Sequence, residues 1–258
     1  MGTIPLSQPL IFLKLIAHDL RWKLIRALSW SDFRVQELVG FVGQPTNLVS
    51  YHLRRLRDQA VVRERRSSAD ARDVYYSLDL DRLCRLYVNA GENLHPALRN
   101  RNSARKARPK SNRPKIRVLF LCTRNSARSQ MAEAILRHLS EGQVECFSAG
   151  TFPSQIHPQA IATMRRHGMD ITQQRSKHLD EFQGQAFDYI ITLCDQARER
   201  CPSFPGDPQQ LHWSFPDPAA VESGESTETP AFEATARGLM TRIQYWMLAL
   251  AGHPQESM

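Results

Sequence analysis

The apolar positions in the front part of the chain recur at two different periods. Before residue 60 and again after residue 80 they recur every three to four residues, which predicts amphipathic helices. Between these stretches, residues 61–79 alternate apolar and polar positions around a Ser/Ala/Asp tip, which predicts a β-hairpin. The predicted helices are two within residues 6–29, the second capped by Asp19, and one each at residues 34–41, 43–59 and 81–94.

The rest of the chain alternates short apolar runs with helical patterns. Strands that alternate with helices predict an α/β fold with a parallel sheet. Ligands bind such sheets beyond the carboxyl ends of the strands, so the loop after the first strand is a candidate site. The predicted strands cover residues 115–121, 144–151 and 187–193, and the predicted helices cover residues 129–139, 157–168 and 232–251.

Charge divides the chain into three parts. The formal net charge is +8, yet residues 118–258 carry 11 Lys and Arg against 16 Asp and Glu. The excess basicity lies in the front part and in residues 99–117, which carry nine basic residues and no acid. We therefore predict nucleic acid as a partner of the first part and chemistry in the second. The predicted parts are a first domain at residues 1–95, a basic linker at 96–114 and a second domain at 115–258.

The odd set of five cysteines predicts catalytic thiols in a reducing compartment, since disulfide scaffolds pair their cysteines. No apolar run reaches membrane-spanning length, and no stretch resembles a signal peptide. We therefore expect a cytoplasmic protein with no membrane contact. Cys146 is expected to be a core thiol, and Cys84 a core or dimer-interface thiol.

Residues 118–133, VLFLCTRNSARSQMAE, carry the strongest chemical signal because they combine a strand, a loop and a helix start. The backbone N–H groups of such a loop surround a tetrahedral oxyanion and favour negative charge. Cys122 is therefore predicted to be a thiolate nucleophile, Arg128 a bidentate oxyanion clamp and Ser129 a hydrogen-bond donor to the sulfur. The alternative is an inert, buried cysteine. The predicted oxyanion-binding residues are Thr123, Arg124, Asn125, Ser126, Ala127 and Arg128.

Three motifs of the second domain resemble a known family. CTRNSARSQMAEA, which begins at Cys122, resembles the phosphate-binding loop of low-molecular-weight tyrosine phosphatases and of the arsenate reductases built on that fold. ITLCDQARERCP, with Cys194 and Cys201, and HWSFPDPA, with Asp217, resemble the thioredoxin-coupled arsenate reductases. The resemblance implies an α/β domain with a central parallel four-stranded sheet and a phosphatase-type anion loop. It implies no bound cofactor and no metal site.

The same resemblance implies how arsenate would be reduced to arsenite. Cys122 attacks arsenate, for which phosphate competes, and Asp217 protonates the departing oxygen. Cys194 then attacks the Cys122 sulfur, and Cys201 takes over the disulfide for reduction by thioredoxin. One regular helix would hold the Cα atoms of Cys194 and Cys201 about 10 Å apart. Because a disulfide tolerates at most about 7 Å, we expect this segment to unwind on oxidation.

The front part resembles the ArsR-type winged-helix repressors through TNLVSYHLRRLRDQAVV followed by DVYYSLD. This resemblance implies a mostly α winged helix-turn-helix domain that binds double-stranded operator DNA as a homodimer. Metal-sensing relatives carry a cysteine pair where this chain has ELVGFVG, at residues 37–43. The sequence therefore does not indicate which inducer this domain would bind. The implied base or backbone contacts are Thr46, Asn47, Ser50, Tyr51 and His52, and the implied phosphate contacts are Arg54, Arg55, Arg63, Arg65, Arg66 and Arg72.

Together these features predict a DNA-binding regulator fused to an arsenate reductase. The first alternative is a low-molecular-weight protein tyrosine phosphatase, and weak phosphatase activity is expected because arsenate and phosphate share shape and charge. FPDPAA argues against this alternative, since it lacks the tyrosine that such phosphatases carry beside the acid. The second alternative is a non-catalytic repressor that senses an oxyanion or an oxidant.

Overall fold

The computed structural model describes residues 8–95, 115–220 and 225–252. They divide into two compact units, one formed by most of residues 8–95 and one containing the residues from 115 onward. The predicted linker, residues 96–114, lies outside the described residues, so the boundaries at 95 and 115 remain predictions. Among the helices described, none is long and apolar enough to cross a membrane.

The first unit combines five helices with a small antiparallel sheet of strand order β1-β3-β2. Its core contains leucines from three helices, and Leu24, Leu38 and Leu53 have no exposed surface. The hairpin predicted for residues 61–79 is present as β2 and β3, whose register pairs Glu64 with Tyr76. The elements are α1 (Gln8–Ile16), α2 (Asp19–Trp30), β1 (Phe33–Arg34), α3 (Val35–Val42), α4 (Thr46–Asp58), β2 (Val62–Arg66), β3 (Val74–Leu78) and α5 (Leu80–Leu94).

The start of α2 differs from the sequence prediction by one residue. His18 is the N-cap, and its Nδ1 accepts a hydrogen bond from the backbone N–H of Leu20 at 3.2 Å. Asp19 is instead the first helical residue, where its negative charge interacts favourably with the helix dipole. The prediction of Asp19 as the cap is therefore wrong.

The second unit contains a four-stranded parallel sheet of order β5-β4-β6-β7. The parallel four-stranded sheet predicted for this domain is confirmed. The strand over residues 209–212 was not predicted, and the last helix begins seven residues before its predicted start. The elements are β4 (Ile116–Cys122), α6 (Arg128–Leu139), β5 (Val144–Gly150), α7 (Pro158–Arg166), a 3₁₀ helix (Leu179–Phe182), β6 (Tyr189–Thr192), α8 (Asp195–Glu199), β7 (Gln209–His212) and α9 (Glu225–Gly252).

β4 lies inside the sheet, and its position determines where the candidate site lies. Residues 118–122 of this strand are all buried, as expected for a parallel strand that is covered on both faces. β4 pairs with β5 on one side and with β6 on the other. Because all four strands are parallel, their carboxyl ends meet at one edge of the sheet, where the motifs with Cys122, Cys194 and Asp217 converge.

Candidate active site

The anion loop lies between the end of β4 and the start of α6. Cys122 is the last residue of β4, and Arg128 is the first residue of α6. Asn125 lies between them, is fully buried and has a left-handed φ of 47°. A non-glycine residue keeps this conformation only where its surroundings hold it. Here the Asn125 Oδ1 accepts from the backbone N–H of Lys177 at 2.8 Å, and its Nδ2 donates to Ser129 Oγ at 2.8 Å.

Close packing behind the loop requires a glycine at the end of β5. A Cβ atom on Gly150 would lie 2.7 Å from the carbonyl oxygen of Thr123 and 2.8 Å from the backbone nitrogen of Asn125. Both are backbone atoms, so no side-chain rotation would relieve the contact. Sequence analysis missed Gly150, although a glycine that ends a predicted strand is a signal for close backbone approach.

The Cys122 sulfur lies at the base of the loop and is only 2% exposed. Its Sγ is 2.9 Å from Ser129 Oγ, and the backbone N–H of Asn125 donates to it at 3.2 Å. The first turn of α6 begins directly above the loop, so the positive end of the helix dipole favours negative charge there. The structure thus brings Cys122 and Ser129 together, as the sequence predicted.

Arg128 joins the loop to the segment that follows β7. The guanidinium is mostly buried, and its Nη1 donates to the carbonyl oxygen of Phe215 at 3.0 Å. Its Nη2 lies 3.1 Å from Asp217 Oδ2. The two residues border a cavity of about 60 Å³. The residues that line this cavity are Cys122, Arg124, Ser126, Ala127, Arg128, Ser154, Gln155, His157, Asp217 and Ala219.

Cys194 lies beside the loop, at the N-cap of α8, and is buried. Its Sγ is 3.3 Å from the hydroxyl of Thr123, the residue that follows Cys122. Burial raises the pKa of the Cys194 thiol, the nearby Arg128 guanidinium lowers it, and negative charge on Cys122 raises it. The structure therefore brings the second predicted thiol close to both the first thiol and the loop arginine.

Cys201 follows the other end of α8. The helix spans only Asp195–Glu199, so the two cysteines flank it and do not lie within it. The Cys201 side chain is partly buried, and this burial raises the pKa of its thiol to about 11. At neutral pH Cys201 is therefore a thiol and a weak nucleophile in this conformation.

A buried polar cluster next to Cys194 was missed by sequence analysis. Asp195 Oδ1 accepts from Ser214 Oγ at 2.7 Å and lies 3.1 Å from His212 Nε2. The other ring nitrogen of His212 is 2.8 Å from Thr192 Oγ1. This cluster ties the first residue of α8 to the segment that leads to Asp217. The signal was present in the motifs CDQARERCP and HWSFPDPA, each of which contributes a member.

The two remaining cysteines lie away from this arrangement. Cys146 is buried in β5, its Sγ donates to the carbonyl oxygen of Glu133 at 3.4 Å, and burial raises the pKa of its thiol to about 11. These are the features of a core thiol. Cys84 lies on α5 with intermediate exposure. In the described part of the chain, no group of three or more His, Cys, Asp or Glu side chains is placed to hold a metal ion.

In the first unit, α4 exposes most of the residues predicted to contact bases or the DNA backbone. Thr46, Asn47, Ser50 and Tyr51 are all exposed, with Tyr51 at 55%. His52 differs because it is 4% exposed and packs against the ring of His18 at a centroid distance of 4.3 Å. A buried ring cannot reach a base edge without rearrangement, so the proposal below leaves His52 out.

The predicted phosphate contacts lie on the surface of the same unit. Arg63 also forms an ion pair with Asp79, and the Arg65 side chain donates to the carbonyl oxygen of Arg66 at 2.6 Å. The Arg63 side chain itself remains 73% exposed in this ion pair. Five of the six predicted arginines are exposed and Arg65 is partly exposed; the set is Arg54, Arg55, Arg63, Arg65, Arg66 and Arg72.

Comparison with known proteins shows which proteins the second unit is similar to. Residues 117–255 match the family described as low molecular weight phosphotyrosine protein phosphatase. An arsenate reductase of Halalkalibacterium halodurans is 34% identical over 127 residues, which cover 49% of this chain and 91% of that protein. An arsenate reductase of Bacillus cereus is 41% identical over 108 residues, or 42% of this chain and 81% of that protein. A solved structure titled "An arsenate reductase in oxidized state" is 28% identical, covers 52% of this chain and 98% of its own, and has a TM-score of 0.46.

These relatives confirm the prediction that the second domain is an enzyme of the arsenate reductase type. The family match begins at residue 117 and does not reach the first unit. It covers more than half of the chain and includes the loop of Cys122, both cysteines that flank α8, and Asp217. The chain therefore belongs to the low molecular weight phosphotyrosine protein phosphatase family.

Proposed function

We propose that the second unit reduces arsenate to arsenite through a relay of three cysteines that thioredoxin regenerates. One observation carries the proposal: a second buried thiol, Cys194, lies against Thr123 at the edge of the anion loop. A phosphatase needs a single nucleophilic thiol, whereas the reduction of arsenate has to remove two electrons from the protein. Curated relatives named arsenate reductase support the choice of substrate.

The first half of the reaction takes place in the loop. The Cys122 thiolate attacks arsenic and forms an As–S bond, while one arsenate oxygen leaves as water. Asp217, which is 39% exposed at its side chain, is positioned beside Arg128 to protonate that oxygen. The planar fork of Arg128 binds two of the oxygens that remain. Ser129 donates to the sulfur before the attack.

In the second half of the reaction, the disulfide is transferred from the loop cysteine to a pair of cysteines outside the loop. The Cys194 thiolate attacks the Cys122 sulfur, and the As–S bond breaks with its electron pair remaining on arsenic, so arsenite leaves. The Cys201 thiolate then attacks Cys194, which releases Cys122 as a thiolate and leaves a disulfide between Cys194 and Cys201. Two electrons from the thioredoxin dithiol reduce that disulfide.

This relay requires α8 to move. Cys201 is a partly buried thiol of raised pKa, and Cys194 is buried on the other side of a five-residue helix. So short a helix has few hydrogen bonds to lose, and isolated helices of this length are unstable in water. We therefore expect α8 to unwind when the first disulfide forms. Equal amide-exchange protection over residues 195–200 in the reduced and oxidised forms would contradict this expectation.

The deciding experiment measures arsenate-dependent NADPH oxidation coupled to thioredoxin and thioredoxin reductase. Wild-type protein is expected to turn over, and Cys201→Ser is expected to stop after one arsenate. In that variant mass spectrometry should find a disulfide between Cys122 and Cys194. Cys146→Ser is the matched control, since Cys146 is a buried thiol outside the relay, and it should turn over. Absence of turnover in folded wild-type protein with any thiol donor would refute the reductase proposal.

Phosphatase activity is the second candidate for the same loop. The loop recognises a tetrahedral oxyanion, so slow hydrolysis of a small aryl phosphate is expected. The cavity favours inorganic oxyanions over phosphotyrosine, because His157 carries the only ring among its described lining residues. If Cys194→Ser abolishes arsenate reduction and keeps aryl phosphate hydrolysis, only reduction needs the relay.

For the first unit we propose binding to a double-stranded operator as an ArsR-type winged-helix homodimer. Support comes from α3 and α4, which are joined by the turn at Gly43, and from the β2–β3 hairpin that follows them. The exposed side of α4 would enter the major groove, and the arginines would contact phosphates.

Fluorescence anisotropy with promoter DNA should give an affinity that falls steeply with salt. Tyr51→Ala, on the exposed side of α4, should reduce sequence preference. Arg66→Ala should weaken binding to all sequences alike. Salt-independent binding, or a strictly monomeric protein bound to DNA, would contradict the proposal. A sensor without turnover becomes the better account if arsenate changes DNA affinity in Cys194→Ser.

A further inference from the structure

We propose that Lys177 is a positioning residue for the nucleophile. Its ammonium and its backbone N–H together fix the direction of a hydrogen-bond chain that ends on the Cys122 sulfur. The inference deepens the proposed function and rests on it, because it assumes that Cys122 reacts as a thiolate. Lys177 precedes the 3₁₀ helix at Leu179–Phe182, and its side chain is 13% exposed.

The chain begins with a carboxylate that can only accept. Lys177 Nζ lies 3.2 Å from Glu133 Oε2, and the Glu133 side chain is 6% exposed. The other oxygen, Oε1, pairs with Arg137 Nη2 at 2.5 Å. A carboxylate held between two cations has no proton to donate. Ser148 Oγ, 2.5 Å from Glu133 Oε2, must therefore be the donor in their hydrogen bond.

The orientation of the Ser148 hydroxyl determines the orientation of the Asn125 side-chain amide. Ser148 has a single hydroxyl hydrogen, which points to Glu133, so it accepts from Asn125 Nδ2 at 2.9 Å. The reverse orientation of the amide would place Nδ2 against the backbone N–H of Lys177, with a donor facing a donor. Lys177 thus excludes the reverse orientation through its backbone and orders Ser148 through its side chain.

The last link reaches the sulfur. The second N–H of the Asn125 amide donates to Ser129 Oγ at 2.8 Å, which leaves the Ser129 hydrogen free to point at Cys122 Sγ, 2.9 Å away. The backbone N–H of Asn125 also donates to the sulfur. Donors that point at a sulfur stabilise its ionised form relative to the protonated form.

Loss of the ammonium should therefore be measurable at Cys122. In Lys177→Met the buried Glu133 oxygen loses its cation, and the interior behind the loop becomes more negative by one charge. We expect the pH midpoint of Cys122 alkylation to rise by about one unit, which is about a tenfold loss of rate below the midpoint. Lys177→Arg should stay near wild type.

The experiment follows iodoacetamide alkylation of Cys122 in the full chain from pH 4 to 10, with the modified site identified by mass spectrometry. Arg175→Met is the matched control, since it removes a nearby cation whose ion pair with Glu181 is exposed. An unchanged midpoint in folded Lys177→Met would overturn the inference. A shift in Lys177→Arg as large as that in Lys177→Met would do the same, because loss of the positive charge would then not be the cause. An ordinary thiol midpoint in the wild type would instead overturn the proposed nucleophile.

Discussion

Gly150→Ala tests whether the anion loop depends on direct contact between two backbones. The new Cβ would meet the Thr123 carbonyl oxygen at 2.7 Å, whereas ordinary contacts begin at 3.4 Å, so the loop must retreat by about 0.7 Å. Overpacking of this kind costs about 1–3 kcal/mol. The φ angle of Gly150 is not in the left-handed region, so the predicted cost is entirely steric.

The same displacement should weaken the site. Misplacement of catalytic groups by about 1 Å costs up to about 100-fold in rate, so we expect kcat/KM for arsenate to fall between about 10-fold and 100-fold. Urea unfolding should give a free energy of unfolding lower by about 1–3 kcal/mol. Calorimetric titration with phosphate should show weaker binding, because a tetrahedral anion in the loop would contact the backbone N–H groups that the substitution displaces.

Two other glycines provide controls. A Cβ on Gly40, an exposed position of α3, meets nothing within 4 Å, so Gly40→Ala should raise stability by about 0.5–1 kcal/mol. A Cβ on Gly238 meets the ring of Phe215, which can move, so Gly238→Ala should cost less than Gly150→Ala. Wild-type stability together with wild-type phosphate affinity in Gly150→Ala would refute the steric reasoning.

Three further predictions concern the loop and the buried thiols. Arg128→Lys should lower kcat/KM for arsenate by about 100-fold, because a point charge replaces a fork that binds two oxygens; an unchanged value would contradict the bidentate role. Ser129→Ala should shift the pH midpoint of Cys122 alkylation upward and leave the unfolding midpoint within a few degrees of wild type, as measured by circular dichroism. Burial raises the pKa values of Cys146 and Cys201 to about 11 from an ordinary 9, so the stability that they contribute is complete below pH 9 and is lost as pH rises toward 11. Urea unfolding of Cys146→Ala should show a smaller decrease over this range than wild type does.

The segment that contains β4, the anion loop and α6 was predictable because the sequence features that indicate it lie close together in the chain. An apolar run, a loop with Cys122 and Arg128, and a helical pattern follow one another within sixteen residues. The motifs with Cys194 and Asp217 are distant in sequence, yet they meet the loop because parallel strands end at one edge. The contacts between Arg128 and Asp217 and between Thr123 and Cys194 follow from that topology.

The elements that sequence analysis missed depend on tertiary contacts. The β7 sequence, QQLH, has no strong strand pattern, and its strand is defined by pairing with β6, where Thr192 lies opposite His212. The Asp195 cluster includes His212 of this strand, so it depends on the same pairing. His52 was predicted as a DNA contact from the resemblance to ArsR-type repressors, but its ring is buried and packs against the ring of His18, the N-cap of α2. Helical periodicity alone gives no information about that neighbour.

The burial of Cys194 and Cys201 also bears on chemical durability. Peroxides oxidise thiolates far faster than thiols, and the sulfinic and sulfonic products are not restored by a dithiol. Because burial raises the pKa of both side chains, each stays protonated in the resting enzyme. Of the three cysteines in the proposed relay, Cys122 alone borders the cavity of about 60 Å³. In the proposed relay, the fold would thus protect two of the three thiols from irreversible damage between turnovers.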